Sequence, residues 1–178
     1  PRRPRGGRLA AGEPPGARAA SRTRAYVLLT PFPAGPLQAN CYVVSRGPGT
    51  GCAIVDPGMD ALDGVHSVVR EHNVKPEAVL ITHGHFDHMW NAQDVAKEYD
   101  CPVWIHPADR HLLSDPMAAV SGESAAMLRA QLGMVDVPEF TEPADVRDAV
   151  DGAAIEVDGL TFPVDHVPGH PPGPVFYR

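Results

Sequence analysis

Residues 82–88 read T-H-G-H-F-D-H, which places His83, His85, Asp87 and His88 within six consecutive positions. Imidazole nitrogens and carboxylate oxygens are ligands for divalent metals, and zinc in particular accepts both. In an extended segment side chains repeat with period two, so His83 and His85 point the same way and can grip one ion together. Asp87 and His88 follow as the chain turns, where they can reach a second ion; two-metal sites commonly place their ions about 3.5–4 Å apart. Gly84 keeps the backbone clear between the first two ligands. The bland alternative is a histidine-rich surface turn in which Asp87 only caps a helix. Four potential ligands directly after an apolar run favour metal binding over that reading.

The elements that must position this cluster are legible around it. The run "EAVLIT" after Pro76 predicts a strand buried on both faces, and Met89, Ala92, Val95, Ala96 and Tyr99 recur at helical spacing beyond it. The cluster therefore lies on a loop between a strand end and a helix start, where α/β proteins place functional groups on a rigid support. Upstream, "AYVLLT" and "NCYVVS" read as strands on either side of a "PFPAGP" loop, and "GCAIVDPG" reads as a strand ending in a D-P-G turn. Residues 60–72 read as a helix with Leu62, Val65, Val68 and Val69 on one face. Downstream, "PVWIH" predicts a strand and Ser121 to Leu132 a helix, followed by a loop-rich acidic stretch. "AAIEV" and "LTFPVDHV" predict strands paired around Asp158-Gly159. Strands first, then strands alternating with helices, indicate an α/β sandwich.

Composition narrows the partners. The 178 residues are 43% hydrophobic and 21% charged, with a net charge of −7, enough chain for one domain with a buried core. Seven of the 15 basic residues but only one of the 22 acids fall within residues 1–24, so the rest carries 8 basic against 21 acidic residues. An acidic body disfavours nucleic acid as a partner, since phosphate binding needs clustered Lys and Arg. Residues 1–24, rich in Arg, Pro and Gly, read as a disordered leader, and 25–178 as the folded domain. No apolar run approaches the roughly 20 residues of a membrane span. Cys41, Cys52 and Cys101 form no C-x-x-C pair, so a reducing, cytoplasmic setting is expected.

T-H-x-H-x-D-H resembles the signature of the metallo-β-lactamase superfamily of hydrolases. "ANCYVV" resembles that family's early strand, "AIVDPG" its first aspartate turn, and "DHVPGHPPG" the later segment that supplies a metal-binding histidine. The branch most similar in arrangement is the glyoxalase II-like, hydroxyacylglutathione hydrolase-like group. The resemblance implies an αββα sandwich with metals at the edge between two sheets. His83, His85 and His170 would bind the first zinc and Asp87 and His88 the second; Asp56 would support the ligand loop, and Asp87 is also the residue assigned to catalysis. Zinc is the expected metal, as one or two ions, with iron or manganese as substitutes. The implied reaction is attack by metal-activated hydroxide on an activated carbonyl of a small-molecule ester or thioester, with a thioester first and another hydrolysis of this superfamily (of a lactone, a β-lactam or a phosphodiester) as the rival. No G-x-S-x-G elbow supports a serine hydrolase. His66, His72, His106 and His111 read as structural or surface histidines, and His166 as a strand end.

The family's bridging aspartate and final histidine have no counterpart here. After His170 only P-P-G-P-V-F-Y-R follows. The second half of the sandwich is expected to be incomplete. A fragment, a truncated gene product and a protomer completed by a second copy are the alternatives, and a non-catalytic metal-binding remnant is the rival of a different class.

Overall fold

The computed structural model describes residues 27–120, 122–131, 133, 139–169 and 171–178. The expected leader and His170 lie outside the described residues, as do Ser121 and Leu132 at the ends of the predicted helix. Between those two, α4 runs Gly122–Gln131.

Six strands form the larger sheet, in the order β1 (Leu28–Ala34), β2 (Ala39–Ser45), β3 (Gly51–Val55), β4 (Lys75–Leu80), β5 (Val103–Ile105), β6 (Val146–Asp148). The first three are antiparallel, and β3 through β6 run parallel. The smaller sheet pairs β7 (Ala154–Val157), β8 (Leu160–His166) and β9 (Val175–Tyr177) antiparallel. Helices α1 (Ala61–His72) and α3 (Ala92–Tyr99) connect the parallel strands, with the single turn α2 (Phe86–Met89) preceding α3.

The period-two alternation of the central strands sorts their side chains into two cores. Cys41, Val43, Cys52, Ile54, Val79, Ile81, Val103 and Ile105 face the helices, meeting Val65 and Val68 of α1 and Ala92 and Val95 of α3. The intervening Val44, Ala53, Val55, Ala78 and Leu80 face the smaller sheet, meeting Ile155, Val157, Phe162, Val164 and Val175. This is the expected mixed α/β sandwich, and β4 is buried on both faces as the run "EAVLIT" predicts. At the turn between β7 and β8, Asp158 (φ 41°) and Gly159 (φ 76°) both adopt the left-handed conformation that a two-residue hairpin of this hand requires. The Asp158 carboxylate accepts from the Gly51 N–H at 2.7 Å, tying that turn to β3 of the other sheet.

Three expectations need correction. Pro31, Phe32 and Pro33 belong to β1 and not to a loop; the turn is confined to 35–38. β1 lies at the sheet edge, where a missing N–H can face away from the ladder, so proline is tolerated. The acidic stretch contains β6, whose three residues are too few to show a period. β9 sits in the Pro-rich end of the chain, where flanking prolines mask a short strand held by long-range pairing to β8.

Candidate metal centre

The parallel pairing of β3 with β4 places Val55 opposite Leu80, so the residues that follow each strand emerge at one edge. Asp56 follows Val55, and its N–H donates to the Leu80 carbonyl at 3.0 Å. It is 4% exposed and takes a left-handed φ of 51°. Its Oδ1 accepts from the Thr82 N–H at 2.8 Å and its Oδ2 from the Thr82 hydroxyl at 2.6 Å. The same Oδ2 lies 3.0 Å from His88 Nδ1. Thr82 in turn lies 2.9 Å, through Oγ1, from His83 Nδ1.

These contacts match one arrangement of the ring protons, the one that satisfies every partner of a carboxylate that only accepts. A hydroxyl has one hydrogen, and an ionised carboxylate can only accept. Thr82 therefore donates to Asp56 and accepts from His83, which must carry its proton on Nδ1. His88 likewise donates from Nδ1 to Asp56. In the neutral imidazole each Nε2 then keeps its lone pair, the state a metal ligand needs, and a carboxylate behind a ligating histidine is the common arrangement around bound metals. The His83 ring lies edge-on to His85, centroids 4.7 Å apart, and 4.2 Å from His88. Asp87 Oδ2 lies 3.6 Å from His88 Nε2. Burial, then the neighbouring His88, lowers the pKa of His83 and favours the neutral ring. For His88 burial acts in the same sense, but the Asp56 hydrogen bond and the charges of Asp56 and Asp87 outweigh it and raise the pKa.

His83 and His85 lie on the loop that ends as His85 leads into α2, whereas Asp87 and His88, expected on that loop, lie in the single turn of α2; all four are half-buried at one edge. Among the described residues the compact set of potential cation donors is Asp56, His83 and His88, with donor atoms within 4.8 Å of one another. Both Asp56 oxygens already accept hydrogen bonds, so its place in that set is as the anchor of the two rings. The donor chemistry fits a divalent metal. His170 lies outside the described residues; β9, which follows it in the chain, docks beside the cluster: the Val175 N–H donates to the Thr82 carbonyl at 2.8 Å and the Tyr177 hydroxyl to the Ile81 carbonyl at 2.9 Å.

Two residues were missed by sequence reasoning. Thr82 stands inside the motif, yet its relay between Asp56 and His83 has no signal in spacing. Asp109 is wholly buried and hydrogen-bonded to backbone near the site; lying on a connection, it shows no periodicity to reveal burial. His106 and His166, read as separate structural residues, stack 4.1 Å apart, and His166 Nε2 pairs with the Pro172 carbonyl. His66 pairs with Glu98 on the helical surface.

The fold and this edge are of the metallo-β-lactamase type. A family model described as the metallo-beta-lactamase superfamily matches residues 34–178, and the chain belongs to that superfamily. An uncharacterized protein of Mycobacterium tuberculosis is 40% identical over 153 residues, covering 85% of this chain; the chain spans 65% of that relative's length. A hydroxyacylglutathione hydrolase of Haemophilus influenzae is 25% identical over 143 residues, covering 80% of this chain and 61% of the relative. A crystal structure of a protein in a di-iron-bound form superposes with a TM-score of 0.62 at 31% identity, covering 84% of this chain and 66% of the other. No helix among the described residues is long and apolar enough to cross a membrane.

Proposed function

We propose that this chain carries the metal-binding core of a hydrolase acting on an activated carbonyl, in first place a hydroxyacyl thioester. His83, His85 and His170 would hold one divalent ion, and Asp87 and His88 a second. The observation that carries the reading is the shared anchor: Asp56 holds His88 directly and His83 through Thr82, leaving both Nε2 atoms available. A surface cluster of histidines has no need of a buried carboxylate that fixes two tautomers. Zinc or iron, when bound, would acidify a water and polarise the substrate carbonyl. The protein's own contribution is positional: Asp56 and Thr82 orient the rings. Asp87, with its side chain 25% exposed, can accept the proton of an attacking water at Oδ2. No side-chain nucleophile is called for. The likeness to a hydroxyacylglutathione hydrolase supports a thioester over a lactone.

The test is calorimetric titration of zinc into the protein, His83→Ala and His72→Ala, followed by hydrolysis assays on a hydroxyacylglutathione and on a lactone. His83→Ala should lose most of the zinc affinity and His72→Ala almost none. Equal affinity in all three would remove the metal centre. Faster turnover of the lactone would replace the thioester assignment.

A further inference from the structure

We infer that Asp109 is a positioning residue that clamps the two ligand-bearing loops together, an inference that rests on the metal-site reading above. Asp109 is 0% exposed. Its Oδ2 accepts from the N–H of Gly84, the residue between His83 and His85, at 2.8 Å. Its Oδ1 accepts from the N–H of Gly173, on the loop that follows His170, at 2.8 Å. Each oxygen serves a different loop, and the two loops come from distant parts of the chain. One rigid, planar group thus sets their spacing.

Two further features show that the local structure is arranged around this contact. Asp109 immediately precedes the 3-10 turn Arg110–Leu113, where an aspartate normally caps its own helix. It makes no side-chain cap bond there, and its carboxylate turns away to the two loops instead. Both partners are glycines without room for a side chain. A Cβ on Gly84 would lie 2.4 Å from Leu112 Cδ1 and 3.0 Å from Asp109 Cβ; one on Gly173 would lie 2.7 Å from Asp109 Cγ. The role of Gly84 is therefore closer approach to Asp109 and Leu112, beyond clearance between two ligands. A carboxylate buried this fully is costly unless its oxygens are paired, and here both are paired to backbone of the site.

Asparagine is the informative substitution because it keeps the shape. Its single oxygen can serve one loop, while its NH2 would oppose the other N–H, donor against donor. Asp109→Asn should therefore release one loop without emptying the site. The measurement is cobalt(II) affinity and the visible spectrum of the cobalt-loaded protein, taken well below the melting temperature. The companion variant is Val65→Ala, which thins the core beneath α1. We expect Asp109→Asn to lose roughly tenfold or more in cobalt affinity, the usual scale for groups supporting metal ligands, with an altered spectrum. Val65→Ala should lower the melting temperature but leave affinity and spectrum unchanged. Amide exchange adds an independent reading: Gly84 or Gly173 should lose protection in Asp109→Asn and keep it in Val65→Ala. Wild-type affinity in Asp109→Asn, or equal affinity losses in the two variants, would overturn the clamp while leaving the metal site standing. Failure of the unmodified protein to bind cobalt would overturn the metal site and the clamp's role with it.

Discussion

The two sheets differ in how their faces are covered. β3 is buried at all five of its residues and the last three of β4 are buried, because helices cover one face and the second sheet the other. β7 alternates strictly between exposed and buried residues, and Phe176 on β9 is 63% exposed; the smaller sheet is covered on its inner face. The site draws on both. The rigid, doubly covered sheet carries Asp56 and the segment His83–His88, whereas the smaller sheet carries residues 171–174 and joins them to the first through Val175 and Tyr177. One well-packed layer thus holds the histidine cluster while a lighter element docks against it through two hydrogen bonds to Thr82 and Ile81.

Core truncations should break or sharpen this comparison most strongly. Ile54 and Ile155 are both almost wholly buried, one in each sheet. Isoleucine to alanine in a core costs about 2–5 kcal/mol, more where the surroundings cannot collapse. Ile54→Ala should fall near the top of that range and Ile155→Ala near the bottom in equilibrium urea unfolding. Equal losses would mean that the smaller sheet is as tightly constrained as the larger.

Thr82→Val should act next, at the junction of the two. It preserves shape but removes the hydroxyl that joins Asp56 to His83, freeing the ring to rotate or change tautomer. A loss of roughly tenfold in zinc affinity is expected by calorimetry, together with about 1–3 kcal/mol of stability from the unpaired buried groups. Unchanged affinity would show that packing alone orients His83.

The thiols report on the larger sheet alone. Cys41, Cys52 and Cys101 are buried on its helical side. Burial raises the pKa of Cys52 to about 12 and that of Cys101 to about 11, and raises Cys41 as well. At pH 8 they should remain protonated and resist iodoacetamide until the larger sheet opens. The sign for stability follows: the unfolded chain releases these protons from about pH 9 while the folded chain retains them. The thiols' contribution is therefore intact below pH 9 and is lost as pH rises toward 11–12. Alkylation at concentrations of urea that open only the smaller sheet would break the separation of the two layers. The smallest effect is expected at the helical surface: His66→Ala, which removes the hydrogen bond with Glu98, should change stability by less than about 0.5 kcal/mol.

Much of this architecture was legible in the residues. The double-sided burial of β4 follows from an uninterrupted apolar run, α1 from Leu62, Val65, Val68 and Val69, and the β7–β8 turn from Asp158-Gly159. These signals are local: each depends on which neighbours share a face at a period of two or 3.6. The strands that escaped, β6 and β9, have three residues each and owe their pairing to partners far along the chain.

The same division runs through the site. The motif by itself determined that His83, His85, Asp87 and His88 would gather where a strand end passes into a helix, because local spacing dictates where side chains can point; that Asp87 and His88 fall inside α2 was not legible. Only the tertiary structure decided which nitrogen of His83 and His88 faces the Asp56–Thr82 anchor, since that depends on a carboxylate 26 residues from Thr82. It also decided that Asp109 would lie between the loops, 25 residues from Gly84 and 64 from Gly173. A hydrogen bond senses position and orientation within a few tenths of an ångström, and nothing in local spacing encodes that for groups so far apart in the chain.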